Sequence, residues 1–482
     1  MLRYVVLTCL GLFLGGIVFA QSGPDISGKW YGILKTPQGQ KQRLVLTFNY
    51  ENGEWNGQMV NPDEEDAPVL TDTVAVTRDS LKFSIPRIGV VFMGEWTNRN
   101  TYNGFFYQLN NRVSIYFSRR EVKEDDLQIE RPQTPRGPVA YDTEDIKFVN
   151  KIDKVLLGGT LTRPGTGTKG AKDPFKVIIL IPGAGHPDRD NEMYGHRPFA
   201  VLADYFVKRG IATLRFDQRG VGNSTGNYDS ASIGNLANDV QAALDYLRSR
   251  KDVDSLGIGL LGYGEGGAVA EMVAANDKMI AYLMLMAGPG VDGQTQYLNR
   301  MATTAASYGD SKERIRDYKD YYQPYLKVLV NQKDTLSRKT IAATYLGLIY
   351  NRFGDSTNVA GKQQFIQEVY AADTRPRALS LLKFDPGPYL AKIKCPVLAV
   401  NGGKDVETEA TSNLKGIQEG LKTGGNEMLT MWNIPGLNHL FQQCTTCRIE
   451  EYGTLDETIK PSVLEAMTKW ILKLYEEAEK NK

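Results

Sequence analysis

The feature that most constrains the fold of this chain is the alternation of short apolar runs with helical patterns from about residue 145 onward. The run Phe175–Ile181 is almost wholly apolar, which is typical of a strand covered on both faces. Strands and helices that take turns predict βαβ units, and therefore a doubly wound, mostly parallel sheet with right-handed crossovers. Further strands are predicted at 211–216, 257–262, 281–286, 396–400 and 428–433, and helices at 198–208, at 231–248, from 265 and from about 457.

The N-terminal part of the chain has a different pattern. Within 22–125, runs at 42–48, 81–85 and 113–117 alternate or are rich in β-branched and aromatic residues, and turn signals such as Asn52-Gly53 separate them. This pattern predicts a small antiparallel β domain, a barrel or a sandwich. A charged and then proline-rich segment, 126–144, is predicted to link it to a second domain at 145–482, since 482 residues exceed one core.

The first 20 residues resemble a secretory signal peptide. Arg3 precedes an apolar stretch from Tyr4 to Phe19, and the small residues Val18 and Ala20 fit cleavage after Ala20. We therefore expect a signal peptide at 1–20 and a periplasmic or secreted protein. The alternative is an uncleaved anchor. No later apolar run reaches the roughly 20 residues that span a bilayer, so we expect no stable membrane span after signal removal.

Charge and cysteine content narrow the function classes. The net charge is +1 without basic runs, so no nucleic acid partner is expected. Export permits disulfides, and Cys444 and Cys447 are predicted to form a local one, although a redox pair or half of a metal site is an alternative. No second C-x-x-C accompanies them, so neither metal nor other cofactor is expected. Cys395 is predicted to be a buried, inert strand residue.

A helix-like excursion at about 291–388 interrupts the alternation after the strand at 281–286. Inserted there, it would lie over the carboxyl ends of the strands as a cap above a pocket. Five residues form a helical stripe, and they either line that pocket or pack in the core: Tyr318, Tyr321, Tyr322, Tyr325 and Leu329.

The segment 257–267 reads G-I-G-L-L-G-Y-G-E-G-G, the layout of a strand that runs into a G-x-S-x-G nucleophile elbow. Gly264 stands where that turn presents its serine. Glycine has no side chain, so the turn offers no nucleophilic oxygen.

Residues 145–482 resemble the α/β-hydrolases, in particular the bacterial exported esterase and serine-aminopeptidase-like branch, whose members often carry a small N-terminal β domain. The resemblance implies an oxyanion loop after the strand at 175–181, with the amides of Ala184, Gly185 and Glu265 as candidate donors. It also implies a triad acid at Asp405 and a triad histidine at His439, in the chain order that this fold requires. The serine is replaced by Gly264.

Three other motifs receive weaker interpretations. Ser224, in a loop similar to the R-G-x-G-x-S loop of the family, is a substitute nucleophile only if a base lies beside it; the structural interpretation is favoured. His196 is expected to be structural, and His186 lies in the oxyanion loop. Gly262-x-Gly264-x-x-Gly267 spells a dinucleotide fingerprint, but no Asp or Glu stands at the end of a following strand, so no nucleotide is expected.

Together these residues favour a pseudohydrolase that keeps a pocket for a small acyl, ester or peptide-like ligand. One alternative is an active ester or peptide hydrolase that uses Asp405 and His439 with water or another nucleophile. A second alternative is an interaction scaffold that acts through the N-terminal β domain.

Overall fold

The computed structural model describes residues 24–35, 41–63, 67–77, 80–98, 100–108, 111–123, 131–165, 168, 174–185, 187–354 and 356–480. The predicted signal peptide, His186 and the first part of the predicted linker lie outside these residues. The described residues of 24–123 form one compact unit, and those of 131–480 form another.

The first unit is a single antiparallel sheet. Its strands are β1 (Gly28–Lys35), β2 (Lys41–Glu51), β3 (Glu54–Val60), β4 (Val69–Leu70), β5 (Thr73–Val76), β6 (Ser80–Ile85), β7 (Val90–Asn98), β8 (Thr101–Gln108) and β9 (Asn111–Ser118). They follow the order β4-β3-β2-β1-β9-β8-β7-β6-β5. The predicted small antiparallel β domain is confirmed, and the sheet curls like a half-barrel.

Alternation of apolar and polar residues explains why this sheet buries one face. In β2, Leu44, Leu46 and Phe48 are buried, and the residues between them are less so. Asn52 and Gly53 both have positive φ, 55° and 89°, which suits the tight hairpin between β2 and β3. Apolar side chains of one face thereby form a continuous aromatic core, which includes Trp30 and Phe92.

The second unit contains an eight-stranded sheet. Its strands are β10 (Asp142–Asn150), β11 (Val155–Arg163), β12 (Phe175–Ile181), β13 (Ala212–Phe216), β14 (Val253–Tyr263), β15 (Leu283–Met286), β16 (Val397–Gly402) and β17 (Leu429–Ile434). They follow the order β10-β11-β13-β12-β14-β15-β16-β17. The pairs among β10, β11 and β13 are antiparallel and the others are parallel, so the predicted mostly parallel, doubly wound sheet is confirmed. β10 begins at Asp142, inside the segment 126–144 that the sequence analysis assigns to the linker.

Helices cover both faces of this sheet. They are α1 (Pro198–Val207), α2 (Ile233–Ser249), α3 (Glu265–Asn276), α4 (Gly293–Ser307), α5 (Lys312–Asn331), α6 (Thr335–Phe353), α7 (Val359–Asp373), α8 (Pro376–Leu382), α9 (Gly387–Leu390), α10 (Ala410–Thr423), α11 (Ile449–Tyr452) and α12 (Pro461–Lys480). One apolar cluster contains side chains of α2, α3 and α10, and a second contains side chains of α1 and α12. Both faces of the central strands are therefore buried, as their apolar sequences predict. No helix in the described residues combines the length and apolar character that crossing a bilayer requires.

Helices α4 to α9 lie between β15 and β16 and form the cap. Its own apolar cluster is built around Tyr325, Leu329 and Leu346. The tyrosine stripe of α5 packs into this cluster or, through Tyr318 and Tyr321, against Phe353. The stripe is therefore core packing within the cap, and the alternative that it lines the pocket is wrong.

The loop that follows β13 is structural. The Ser224 hydroxyl donates to the Asp217 carbonyl oxygen at 2.7 Å and accepts from the Gly158 amide at 3.0 Å. The Asp217 carboxylate in turn accepts from the Arg189 guanidinium at 2.8 Å. Both hydrogen-bonding roles of the Ser224 hydroxyl are thus occupied, which agrees with the structural interpretation.

The cysteines lie as follows. Cys444 and Cys447 form a disulfide, as predicted. Cys395 is a free thiol that lies just before β16 rather than within it and packs against the apolar core. Burial raises the pKa of its thiol to about 12, so the group is a neutral, inert thiol at ordinary pH.

Candidate functional site

Gly264 occupies a sharp turn between β14 and α3. β14 ends at Tyr263, α3 begins at Glu265, and Gly264 has φ 53° and ψ −122°. This left-handed conformation favours glycine. The Gly264 amide donates to the Met286 carbonyl oxygen at 2.8 Å, which holds the turn against β15. Strand, turn and helix therefore fall where the sequence predicts them.

Close packing requires two of the neighbouring glycines but does not require Gly264. A Cβ atom at Gly266 would lie 2.4 Å from the Ile181 carbonyl oxygen, and one at Gly262 would lie 2.5 Å from the Gly266 carbonyl oxygen. A Cβ atom at Gly264 would meet its nearest neighbour, His439 Nε2, at 3.4 Å. That distance is an ordinary van der Waals contact. A side chain at position 264 would therefore fit and would lie beside the imidazole.

Asp405 and His439 form a hydrogen-bonded pair at the carboxyl edge of the sheet. Asp405 follows β16, His439 follows β17, and His439 Nδ1 lies 2.8 Å from Asp405 Oδ2. The other carboxylate oxygen of Asp405 accepts from the amides of Glu407 and Thr408, both at 2.8 Å. This arrangement fixes the imidazole with Nε2 toward Gly264. The two residues that the sequence singled out are thus brought together.

The electrostatic surroundings of His439 favour its protonated form. Burial lowers the pKa of the imidazole, but the negative charges of Asp405 and Glu407 and the hydrogen bond to Asp405 outweigh it and raise the pKa to about 9. His439 therefore carries a proton on Nε2 at neutral pH, and Nε2 is then a donor.

Tyr263, at the end of β14, supports the loop that carries His439. Its phenol donates to the His439 carbonyl oxygen at 3.0 Å, and its ring centroid lies 5.3 Å from that of the imidazole. The role of Tyr263 could not be read from the sequence, because Tyr263 and His439 are 176 positions apart.

The loop after β12 lies against the turn at Gly264. Gly183 Cα is 3.9 Å from the position of a Cβ atom at Gly264. Ala184 and Gly185 follow in this loop, and Gly185 has φ 98°. The amides of Ala184 and Glu265 have no hydrogen-bond acceptor among the described residues. The structure thus places the predicted oxyanion donors beside Gly264 and His439.

These residues line one cavity of about 650 Å³, and residues of the cap line it as well. The floor includes Ala184, Gly185, Gly264, Glu265 and His439, and the walls are largely apolar. The wall residues with apolar or aromatic side chains include Met193, Tyr194, Tyr297, Leu381, Leu382 and Phe384. A volume of this size suits a small organic ligand.

Three charged residues of the cavity were not anticipated from the sequence. Arg377 of α8 forms an ion pair with Glu265, and Arg300 of α4 forms one with Glu407 at 3.0 Å. Asp373 lies at the end of α7, where its carboxylate accepts from the Tyr325 phenol at 2.9 Å. Arg300, Arg377 and Asp373 belong to the cap, and only the three-dimensional fold brings the cap against the sheet.

His196 is a structural residue, as expected. Its Nδ1 lies 3.0 Å from the Thr458 hydroxyl, and its Nε2 lies 3.1 Å from the Tyr452 carbonyl oxygen. Burial, helped by the positive charge of Arg131, lowers the pKa of this imidazole to about 4. His196 is therefore neutral and engaged, away from the chemistry at Gly264. Within the described part of the chain, no group of His, Cys, Asp and Glu residues could hold a metal ion.

Comparison with known proteins adds a family match for part of the chain. Residues 192–325 match the family model described as serine aminopeptidase, S33. The matched segment contains Gly264, helix α4 and most of helix α5. It ends before Asp405 and His439.

The relatives found by sequence include uncharacterized proteins. The chain is 30% identical over 144 residues to the uncharacterized protein YfhR of Escherichia coli K12, an alignment that covers 30% of this chain and 45% of YfhR. It is 22% identical over 209 residues to an uncharacterized 31.7 kDa protein of Escherichia coli, with 42% of this chain and 66% of that protein covered. The chain thus spans less than half the length of the first of these relatives.

Solved structures with a similar backbone fold include two hydrolases. An esterase of Pyrococcus furiosus is 16% identical with a TM-score of 0.40, and the match covers 73% of this chain and 98% of the esterase. An α/β-hydrolase of Penicillium sp. is 18% identical with a TM-score of 0.38, and the match covers 62% of this chain and 91% of that one.

Proposed function

The second unit of this chain has the α/β-hydrolase fold, and from that premise we propose that the protein is a pseudohydrolase. It binds an acyl, ester or peptide-like ligand in the cavity beneath the cap and does not cleave it by the serine route. The observation that carries this proposal is Gly264: the turn, the base and its acid are in place, and the residue between them has no side chain.

No serine or cysteine among the described residues of the cavity replaces the missing nucleophile. Covalent catalysis needs an activated nucleophile within hydrogen-bond reach of the base. Among the described residues, the lining of the cavity contains no serine and no cysteine. Among its hydroxyl-bearing residues, Tyr263 donates to the His439 carbonyl oxygen. Burial raises the pKa of the Tyr263 phenol well above 10, so this oxygen is a poor nucleophile.

The parts that bind a ligand remain. The cavity has a volume of about 650 Å³, its lining mixes apolar and polar side chains, and Ala184, Glu265 and His439 all belong to that lining. These features support a cavity that still binds a ligand rather than a cavity that has collapsed. The ligand's identity as an acyl, ester or peptide-like molecule rests on the fold and on the oxyanion-type donors.

A second candidate function is slow hydrolysis by water. The Asp405–His439 pair faces Gly264, where the small residue leaves room for a water molecule. Serine proteases stripped of a triad member keep roughly 10³–10⁴-fold rate enhancement over water through the oxyanion hole and binding. The protonated state of His439 at neutral pH weighs against this candidate, because a general base must first lose that proton.

A direct assay separates the two candidates. The wild-type protein is incubated with short-chain nitrophenyl esters and with aminoacyl anilides, beside a His439→Ala variant as control. We expect both proteins to match the rate of the buffer alone. Wild-type turnover that His439→Ala removes would contradict the pseudohydrolase and establish the water route.

Export to the periplasm or the medium is part of the proposal. The signal-like pattern at 1–20 motivates it, and the Cys444–Cys447 disulfide is compatible with an oxidising compartment.

A scaffold role for the first unit finds support in exposed aromatic side chains: Tyr50 is 59% exposed and Tyr116 is 51% exposed. Such side chains suit a partner surface.

A further inference from the structure

We infer that the space between Gly264, His439 and the loop after β12 binds a carboxylate, so that the ligand of this protein is a free carboxylic acid rather than an ester or an amide. This inference rests on the proposed function and deepens it, because it names the ligand class of the same cavity.

Residues from three elements line this space and carry hydrogen-bond donors that have no acceptor among the described residues. His439 Nε2 comes from the loop after β17, the Ala184 amide from the loop after β12, and the Glu265 amide from the first residue of α3. α3 is a helix of 12 residues, and the positive end of its dipole faces the same point. A set of donors with no acceptor among its members favours an anion.

The missing side chain explains why the anion is a carboxylate. In a serine hydrolase, the serine Oγ stands between the base and the carbonyl carbon, and the donors meet only one substrate oxygen. Here that place beside His439 Nε2 is open, since even a Cβ atom at Gly264 would lie 3.4 Å away from Nε2. A carboxylate has two oxygens in one plane. One can accept from Nε2 and the other from the amides of Ala184 and Glu265, whereas an ester or amide group has one carbonyl oxygen.

Every charged group that faces His439 is compatible with this arrangement. Asp405 holds Nδ1 and accepts two amides, and Glu407 is paired with Arg300. These two carboxylates keep the imidazole charged, with a pKa of about 9 once burial and Arg300 have opposed them. A charged imidazole donates a stronger hydrogen bond to an anion than a neutral one.

The remaining carboxylates of the cavity do not repel such a ligand strongly. The Glu265 side chain is paired with Arg377, and the Glu192 side chain is paired with Arg197 at 2.9 Å. Asp373 accepts from the phenol of Tyr325, and burial raises the pKa of its carboxyl group toward the neutral form. The apolar wall of Met193, Leu381 and Phe384 then suits an alkyl or aryl tail on the acid.

The test is a calorimetric titration of the whole wild-type protein with matched probes. The probes are hexanoate and 3-phenylpropionate, each with its methyl ester and its primary amide. At about pH 7 we expect each acid to bind about ten- to a hundredfold more tightly than its ester and amide, as a charge-assisted hydrogen bond provides. His439→Gln should reduce the affinity for the acid by a similar factor and leave that for the ester unchanged.

Two further measurements keep the test decisive. Gly264→Ala places a Cβ atom where the carboxylate would lie and should weaken the acids without changing any charge. The wild-type affinity for the acids should be constant from about pH 6 to 8 and fall about tenfold per unit above the His439 pKa of about 9, because the deprotonated Nε2 no longer donates. This second measurement needs no variant to fold.

The outcomes separate this inference from the proposed function. Equal affinities for acid, ester and amide, or an acid affinity that His439→Gln and pH leave unchanged, overturn the carboxylate site but not the pseudohydrolase. Consumption of the methyl ester during the titration overturns the pseudohydrolase, whatever the acids do.

Discussion

Replacing Gly264 by serine is expected to create esterase activity above that of the wild-type protein. A serine Cβ atom at position 264 would lie 3.4 Å from His439 Nε2, so its hydroxyl can reach the base, which Asp405 already orients at 2.8 Å. Ala184 and Glu265, whose amides are the proposed oxyanion donors, line the same cavity. We expect kcat/KM for nitrophenyl acetate to rise about a hundredfold or more above the wild-type rate, a small part of the ~10⁶ that a nucleophile is worth in an evolved protease.

This substitution carries a conformational cost. A φ of 53° and ψ of −122° disfavour any residue with a Cβ atom, and we expect Gly264→Ser to lower the free energy of unfolding by about 1–3 kcal/mol. Gly264→Ala is the matched control, because it has the same cost and no hydroxyl. Its esterase rate should remain at the wild-type level.

The pH profile of the serine variant is a second readout. The base must lose the proton on Nε2, and Asp405 and Glu407 raise the pKa of His439 to about 9 against the effect of burial. The rate should therefore rise with pH and level off above about pH 9. A folded Gly264→Ser protein that stays as inactive as Gly264→Ala contradicts the account, since it would mean that base and oxyanion donors are not aligned.

Replacing Arg219 by alanine is expected to destabilise the second unit strongly. The Arg219 guanidinium donates to both carboxylate oxygens of Asp239, at 2.8 and 2.7 Å, and to Asp153 at 2.9 Å. The side chains of Arg219 and Asp239 are 6% and 0% exposed. Without Arg219, Asp239 keeps the amide of Asn150 at 2.7 Å but loses its counter-charge. Breaking a buried pair in this way costs about 3–5 kcal/mol.

Urea denaturation followed by far-ultraviolet circular dichroism measures this loss, because the described α-helices all lie in the second unit. Lys415→Ala is the control: Lys415 and Glu419 form an exposed pair at 3.6 Å, and its loss should change the stability by less than about 0.5 kcal/mol. Removing both buried charges with Arg219→Met and Asp239→Leu should recover part of the loss. Equal stability of Arg219→Ala and Lys415→Ala would show that the ion pair is not structural.

The sequence predicts the sheet of the second unit well because its signals are local. Apolar runs such as Phe175–Ile181 reflect burial on both faces, and the helical patterns between them reflect one buried face each. The runs themselves do not give the order of the strands. The two strands at the antiparallel edge, β10 and β11, are not predicted from the sequence; β10 begins with polar, exposed residues from Asp142.

The candidate site likewise contains residues that the sequence predicts and residues that it does not. Gly264, Asp405 and His439 each follow a recognisable strand, so their positions could be predicted, and the structure places them near one another. Arg377 could not be predicted to lie in the site, because its partner Glu265 is 112 positions away. The cap also contains no strand whose pairing in the sheet would indicate where Arg377 lies. The tyrosine stripe left two alternatives open for a related reason. A helical stripe shows which face of a helix is buried, but it does not show whether a core or a cavity covers that face.

We propose that this site lacks a nucleophile but keeps the Asp405–His439 pair and the oxyanion-type donors. The most direct measurement is the intact mass of the wild-type protein and of Gly264→Ser after incubation with an alkyl fluorophosphonate, which bonds to an activated serine with loss of fluoride. The account predicts no adduct on the wild type, one adduct at position 264 of Gly264→Ser, and none when His439→Ala is added to that variant. An adduct on the wild-type protein that His439→Ala removes would contradict it.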